Sequence, residues 1–443
     1  MIGRTLAGIA AALAAFWLAV AVAPQPAPTG ASRPVAVPVL AAALPIACPG
    51  PLTIPVGAVG GGEGQFGSGS DDVRSSTFPS GTDTPVATGD GSTSTSSLAT
   101  EIERVGGGDI AGLSALACLA PRTDTWLVGG STALGSSSRL VLTNPSGVAS
   151  DVVVSFYGPA GKVDQTLSVA VGPHSQTTYL LEAIAAGLAT LTTHVEATAA
   201  GVTAVIQDSR LNGFLAAGTD WVVPDEVLAK QLQIPGVGPS EPEGIAGASS
   251  VRIFAPQDAI VTLSLATALG AEPWPAAQGL QVRAGQVVDI DVPATAVATV
   301  LVDSSTPVLA AAYTTKGRAP DDPLQGAAAR DSTWVNGQEH LAGRSYSVVV
   351  SHYAVSAVIY SPKDTTFSAV DPSGRVWLTL ALPAGQTREV PLGVPSGTVL
   401  SVDGPIAWTV RVVDPPGFIT SVQPEDVGPR DTVVAVAPGF YVP

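Results

Sequence analysis

Catalytic chemistry in this sequence would have to come from its four histidines or from pairs of carboxylates. The histidines are His174, His194, His340 and His352. A serine nucleophile needs a histidine base and an orienting acid, but the sequence contains no GxSxG elbow. It also contains no HExxH motif, which excludes that type of zinc protease. The sequence therefore predicts no catalytic histidine, no metal site and no cofactor.

Paired carboxylates are the other catalytic option, because glycoside hydrolases use two Asp or Glu side chains that flank one bond. The fold, and not the sequence spacing, sets the separation of such a pair. Asp208 and Asp220 are one pair that would form such a site if they faced a shared pocket. Aromatic residues, which line sugar-processing clefts, make up only 5 % of the chain. The sequence favours a non-catalytic protein, with a glycan-processing enzyme as the alternative.

Tryptophans recur in three similar contexts, "TDTWLV", "GTDWVV" and "DSTWVN". These tryptophans are Trp126, Trp221 and Trp334, and we interpret them as equivalent structural anchors of a repeated unit. Exposed tryptophans can instead stack on sugar rings or bind a partner. Trp274 lies between two prolines in "EPWPA", a context typical of a loop, so it is the candidate exposed contact.

Short runs with alternating apolar residues must position these side chains. Such runs begin near Leu140, Val251 and Val348, and each leads to a turn followed by glutamine. Strands of this length with turn signals every 8–12 residues are typical of β-sandwiches. We therefore predict a mainly β protein with about three tandem Ig-like β-sandwich units, at residues 126–220, 221–333 and 334–443.

The N-terminus, "MIGRTLAGIAAALAAFWLAVAVAPQ", predicts export. Leu6 to Ala23 carry no charge and would span about 27 Å as a helix, near the lower limit for a bilayer. We predict a signal-anchor or transmembrane helix over 1–23, a Pro/Ala-rich stalk over 24–47, and an extracytoplasmic remainder. The alternative is secretion after signal cleavage, since Ala21-Val22-Ala23 offers a small-x-small end.

Two cysteines, Cys48 and Cys118, fit an exported protein, because disulfides persist in oxidising compartments. We predict a disulfide between them; two buried free thiols are the alternative. It would bracket a Gly/Ser/Thr-rich region over 48–125, in which residues 59–103 contain few large apolar side chains. That composition predicts a mobile loop.

The charge balance limits the partners. With 20 basic against 36 acidic residues, the net charge is −16, and phosphate backbones repel such a surface. No nucleic-acid partner is therefore expected. The partners that remain are the membrane, through the N-terminal helix, and an envelope glycan or envelope protein.

Several short motifs resemble an uncharacterised family of actinobacterial proteins. They are "CPGP" at 48–51, "WLVGGST" at 126–132, "LVLTNPSG" at 140–147, "VIQDS" at 205–209 and "GTDWVV" at 218–223. Members of that family carry one N-terminal membrane segment and an exported region of unknown function. The resemblance implies a cell-envelope location and no known activity, and it assigns no catalytic residue.

Overall fold

The computed structural model describes most of the chain beyond residue 97. It covers residues 46–53, 98–225, 228–238, 247–318 except 294, 329–339, 344–350 and 353–425 except 372 and 416, and strands at 35–39, 73–77, 84–87, 93–96 and 432–436. The chain divides into two compact units, Met1–Ala42 with Arg430–Pro443, and Ala43–Pro429. The predicted helix over 1–23 lies outside the described residues. Among the residues that are described, no helix is long and apolar enough to cross a membrane.

Strands dominate the described residues, as predicted, and they are numbered in chain order. The N-terminal strands are β1 (Val35–Val39), β2 (Val73–Thr77), β3 (Thr84–Ala87), β4 (Thr93–Ser96), β5 (Thr100–Val105) and β6 (Gly112–Ala117). Next come β7 (Asp124–Val128), β8 (Ser136–Asn144), β9 (Ser150–Gly158), β10 (Gly161–Val171), β11 (Ser175–Leu180), β12 (Thr192–Ala197), β13 (Thr203–Asn212) and β14 (Leu215–Val222).

The second half of the chain continues this pattern. Its strands are β15 (Ala229–Val237), β16 (Ala248–Ala255), β17 (Ala259–Thr267), β18 (Gly270–Pro273), β19 (Leu280–Val282), β20 (Gln286–Asp291), β21 (Ala298–Arg318) and β22 (Ala329–Asn336). They are followed by β23 (Arg344–Val348), β24 (Ala354–Tyr360), β25 (Thr365–Val370), β26 (Val376–Leu382), β27 (Thr387–Pro391), β28 (Val399–Asp403), β29 (Ala407–Asp414), β30 (Phe418–Val422) and β31 (Thr432–Val436). The helical elements in the described residues are two short 3-10 turns, Leu181–Ala183 and Pro275–Ala277.

The alternating pattern explains why these segments are strands. In β9, Val152, Val154 and Phe156 are buried. Asp151 and Val153, which alternate with them along the strand, are exposed. Successive side chains of a strand point to opposite faces, so one face enters a core and the other meets solvent.

The strands form three sheet pairs, each made of two antiparallel sheets that enclose one apolar core. The first sheet pair combines β10-β9-β12-β7 with β11-β8-β13-β14. The third combines β26-β25-β28-β23 with β27-β24-β29-β30, the same order with every number raised by sixteen. In the second sheet pair, the long strand β21 takes part in both sheets: its first half pairs with β15 and β17, and its second half with β16 and β22.

The sheet pairs begin at β7, β15 and β23, which differs from the predicted boundaries before Trp221 and Trp334. Trp221 lies on β14 and pairs with Gln207 of β13, in the last hairpin of the first sheet pair. Trp334 lies on β22 and pairs with Tyr313 of β21, at the equivalent place in the second. Trp126 lies on β7, the first strand of the first sheet pair. The similar motifs therefore occupy different places in the fold.

A hairpin formed by β5 and β6 connects the first and third sheet pairs. Leu113 and Ala115 of β6 belong to the core of the third sheet pair. Leu116, which alternates with them, packs with Val141 and Trp221 of the first sheet pair. The two faces of one strand thus join two sheet pairs. Residues 100–103 were part of the predicted mobile loop, but they lie in β5, a largely buried strand of a three-stranded sheet, β2-β5-β6.

A disulfide joins Cys48 to Cys118, with their Cα atoms 4.5 Å apart. Residues 46–53 lie against the hairpin, where the Glu101 and Glu103 carboxylates accept hydrogen bonds from the backbone N–H groups of residues 50 and 52. The Gln207 side chain accepts a hydrogen bond from Thr53 N at 2.9 Å and donates one to Thr53 O at 2.8 Å. The cross-link therefore closes a segment that contacts the first sheet pair as well.

We expect replacement of both cysteines by serine to lower the free energy of unfolding by about 3 kcal/mol, because the unfolded chain loses a cross-link across many residues. Urea unfolding of the two proteins measures the difference. Dithiothreitol should destabilise the wild type by a similar amount and leave the double variant unchanged. Equal stability of the oxidised wild type and the double variant would contradict the prediction.

Candidate functional site: a buried carboxylate cluster

The last strands of the three sheet pairs, β14, β22 and β30, meet with β6 at one junction. Asp220, Thr333 and Thr420 occupy similar places near the ends of these strands: Asp220 and Thr420 are third from the end, and Thr333 is fourth. All three are buried. Residues from similar places in the three sheet pairs therefore come together inside the protein.

Asp220 accepts hydrogen bonds from both of the other sheet pairs. Trp334 N donates to Oδ2 at 2.9 Å, and the Thr420 hydroxyl donates to Oδ1 at 3.0 Å. Burial raises the pKa of Asp220 well above its usual value, and the N–H donors of Trp334 and Trp221 oppose that shift only in part. Burial therefore favours the protonated form of this carboxyl group more strongly than water does.

Asp331 is a second junction carboxyl and is fully buried. Its Oδ2 accepts hydrogen bonds from Leu113 N of β6 at 3.1 Å and from Ile419 N of β30 at 2.8 Å. Burial raises the pKa of Asp331 to about 7, although these N–H groups and the nearby Arg318 guanidinium favour the charged form. One carboxyl of the second sheet pair thus binds the hairpin and the third sheet pair together.

Asp208 completes the cluster from β13, directly opposite Asp220 in the register. Its Oδ2 accepts hydrogen bonds from Trp334 Nε1 and from Arg210 Nε, each at 3.0 Å. The Arg210 guanidinium in turn lies 4.1 Å from the centre of the Tyr313 ring. A guanidinium and an indole N–H thus both donate to the same oxygen of Asp208.

The three carboxyl groups join strands of neighbouring sheet pairs, but they are buried inside the protein. Asp208 and Asp220 are each 1 % exposed and Asp331 is 0 % exposed. A glycoside hydrolase needs two carboxyl groups on either side of a bond in a bound sugar. The pair Asp208 and Asp220, which the sequence singled out for that chemistry, comes together with both carboxyl groups buried among the described residues.

Two arginines connect neighbouring sheet pairs around this junction. Arg252 of β16 forms two hydrogen bonds of 2.8 Å with the Asp289 carboxylate and also donates to the carbonyl oxygens of Gly130 and Leu191 in the first sheet pair. Arg411 of β29 donates to the carbonyl oxygens of Gly236 and Gly238 in the second. The signal in the sequence that could have indicated these contacts is an arginine inside an apolar run, Arg252 in "SVRIFA" and Arg411 in "WTVRVV".

The tryptophans singled out by the sequence are mainly packing residues. Trp126 stacks on His194 at 3.8 Å and on Phe254 at 4.9 Å between ring centres. Trp221 packs under the β5–β6 hairpin, and Trp334 enters the core of the first sheet pair.

Trp274 is not an exposed contact, contrary to the expectation from its flanking prolines. It is 3 % exposed and belongs to the core of the second sheet pair. Its backbone N–H donates a hydrogen bond to Leu263 O, and its backbone carbonyl oxygen accepts one from the Gln278 side-chain amide. The prolines shape a turn that folds the indole inward.

Gly218 lies within the junction strand β14, at a position where only glycine fits. Its φ is +111°, and an added Cβ would lie 2.2 Å from Ser332 Oγ and 2.5 Å from Ser332 N. We expect Gly218→Ala to cost about 3 kcal/mol of stability, since the backbone is strained and the β14–β22 contact must open. Thermal unfolding measures the loss.

Gly213→Ala is the matched control for Gly218→Ala. Its φ is +65°, and nothing lies within 4 Å of an added Cβ. Only backbone strain of about 1 kcal/mol is expected there. Equal losses of stability in the two variants would show that the close approach to Ser332 contributes nothing to the cost of the Gly218→Ala substitution.

The fold and the junction define a mainly β protein of several antiparallel sheets whose buried carboxyl groups connect its sheet pairs. The chain belongs to a family of unknown function (DUF5719), which it matches over residues 73–393. That match includes Asp208, Asp220 and Asp331 and ends between β27 and β28, before Thr420. No curated protein and no solved structure matches the chain.

Proposed function

We propose that this protein is a non-catalytic component of the cell envelope, an extracytoplasmic array of three Ig-like β-sandwiches with a binding or scaffolding role. The observation that carries the proposal is the enclosure of the carboxylate cluster. Its carboxyl groups accept hydrogen bonds from strands of neighbouring sheet pairs. Their chemistry is therefore used to join the sandwiches into one body, which leaves the outer surfaces for partners.

Two features support an extracytoplasmic location. The uncharged run from Leu6 to Ala23 fits a membrane anchor or an export signal. The disulfide between Cys48 and Cys118 is of a kind that persists outside the cytosol. An anchored protein would present its sandwiches to envelope glycans or envelope proteins.

Location is tested with the full chain carrying a C-terminal tag in intact cells with a permeable outer layer. We expect added protease to remove the tag and alkaline carbonate to leave the chain in the membrane pellet. Thiol-specific labelling should detect no free cysteine until reductant is added. A protected tag in intact cells, or a chain with two free thiols, would refute the extracytoplasmic location.

Function is tested by capture of the tagged full chain from detergent-solubilised envelope, with Asp220→Asn and Asp208→Asn variants alongside the wild type. A binding protein should recover one defined glycan or protein in stoichiometric amount. Both folded variants should retain that recovery, because the carboxyl groups lie inside the fold. Release of sugar fragments from isolated envelope by the wild type but not by folded Asp220→Asn would instead support the glycan-processing alternative.

A further inference from the structure

One outer edge of the third sheet pair lacks the charged residues and the proline found on the corresponding edges of the other two. In the first sheet pair, the edge strand β10 carries Lys162 and Asp164 and has a register shift against β9. In the second, β18 ends at Pro273 and is followed by a 3-10 turn. Charges, proline and irregular pairing are the usual means by which proteins prevent an edge strand from pairing further.

The edge strand β26 in the third sheet pair carries neither a charged residue nor a proline, although it also has a register shift against β25, at Ala369 and Val370. Its sequence, VWLTLAL, contains no charge and no proline and runs for seven residues. Val376 is 55 % exposed, and Thr379 and Ala381 are exposed, while Leu382 is buried. Across the described residues, β25 is the strand that pairs with it, so its other edge is unpaired.

The neighbouring hairpins explain why this edge is open. A Cβ at Gly285 of the second sheet pair would lie 3.6 Å from Lys162 N, so that turn covers the β9–β10 hairpin. A Cβ at Gly385 of the third would lie 3.8 Å from the Ala271 Cβ, so that turn covers the β17–β18 hairpin. The β25–β26 hairpin is last in the series and has no following sheet pair in the described chain to cover it.

The end of this hairpin is also ordered by polar contacts. Trp377 Nε1 donates to Asp371 Oδ2 at 2.9 Å, and the Arg375 guanidinium lies 3.8 Å from the Trp377 ring centre. Asp371 also accepts hydrogen bonds from the backbone N–H groups of Ser373 and Arg375. A half-buried tryptophan is therefore held in a fixed position beside the open edge.

We propose that β26 pairs antiparallel with β26 of a second copy of this chain, centred on Thr379, so that two four-stranded sheets become one continuous sheet. This register pairs all seven residues and places Trp377 opposite Ala381, a large side chain opposite a small one. No two like charges face each other within the strands, a condition that favours cross-strand pairing.

Charge complementarity at the strand ends supports a second copy as the occupant. In the Thr379-centred register, Arg375 of each copy lies opposite residue 383 of the other. Asp364 lies close to residue 383, because its Oδ1 accepts a hydrogen bond from the backbone N–H of the next residue, Ala384, at 2.8 Å. Arg375 and Asp364 are both exposed. Two-fold symmetry produces this pairing of opposite charges twice.

Cysteine cross-linking of the full chain in native membranes tests the register. Both native cysteines are in the disulfide, so an introduced cysteine is the only expected free thiol. Thr379→Cys should form a covalent dimer under mild oxidation, because residues opposite each other have Cβ atoms about 5 Å apart. Ala381→Cys should not, since the two copies of residue 381 would be about 13 Å apart.

Ser168→Cys is the matched control, because Ser168 precedes the buried end of β10 by three residues, as Thr379 does in β26. It should remain monomeric on non-reducing gels. A covalent dimer of Ser168→Cys or Ala381→Cys equal to that of Thr379→Cys would overturn the proposal, and so would the absence of any Thr379→Cys dimer.

Charge variants at the same residue test the symmetry. The full chain in mild detergent should have the mass of a dimer by light scattering, and Thr379→Lys should have the mass of a monomer because two lysines would face each other. Thr379→Glu should also be monomeric, whereas a 1:1 mixture of the two should form dimers. Ser168→Lys should stay dimeric. A monomeric wild type, or a dimeric Thr379→Lys, would refute pairing through β26.

Discussion

Arg252→Met should lower the free energy of unfolding by about 4 kcal/mol. The guanidinium is 2 % exposed and forms a two-point ion pair with Asp289 while it donates to carbonyl oxygens of the first sheet pair. Methionine fills a similar volume but donates no hydrogen bond. Removal of one partner of a buried pair typically costs 3–5 kcal/mol, because the other polar groups are left without a partner. Urea unfolding measures the loss.

Two further arginine variants make this experiment specific. Arg283→Met, on an exposed arginine of the same sheet pair, should change stability by less than about 0.5 kcal/mol. Arg252→Lys keeps the charge but not the planar fork, so its loss should lie between those of the two methionine variants. If Arg252→Met were as stable as Arg283→Met, the contact between the first two sheet pairs would not depend on this side chain.

Asp331 should make the protein less stable as the pH rises from about 4 to 7. The pKa of Asp331 in the folded protein is about 7 because the carboxyl group is buried, whereas an aspartate in an unfolded chain has a pKa of about 3.9. Between these values the folded state holds a proton that the unfolded state has released. Stability therefore falls by about 1.4 kcal/mol per pH unit, or about 4 kcal/mol across the window.

Asp331→Asn isolates this effect from all other titrating groups. The asparagine oxygen can accept the N–H groups of Leu113 and Ile419 but does not ionise. We expect the stability of the wild type relative to the variant to be greatest near pH 4 and to fall by about 4 kcal/mol by pH 7.5. Urea unfolding at several pH values measures it. A relative stability that is constant, or that rises with pH, would mean that Asp331 is already charged in the folded protein.

The strands could be predicted from the sequence because their signal is local. In β9, small or polar residues alternate with large apolar residues over a few positions, and this alternation is itself the cause of one-sided burial. The disulfide was predictable for a similar reason, since only two cysteines exist and the N-terminal run predicts export. The sequence motif around Trp221 and Trp334 predicted a repeated unit.

The boundaries of that repeat were not visible in the motif. "GTDW" and "DSTW" lie on the closing strands of the first two sheet pairs, while "TDTW" lies on the opening strand of the first. Hydrogen-bond register between β13 and β14 or between β21 and β22 decides this, and register depends on partners that are distant in sequence. Trp274 was misjudged for a related reason: its prolines indicate a turn but not the side on which the indole packs.

The sequence by itself determined that this is a turn-rich, mainly β, acidic chain, because each of these properties follows from composition or from side chains a few residues apart. Only the tertiary structure decided that Asp208, Asp220 and Asp331 lie together out of water. An aspartate beside a tryptophan looks like a solvated turn residue in the sequence. Three closing strands from different sheet pairs must meet before water is excluded and the carboxyl groups bind the junction together.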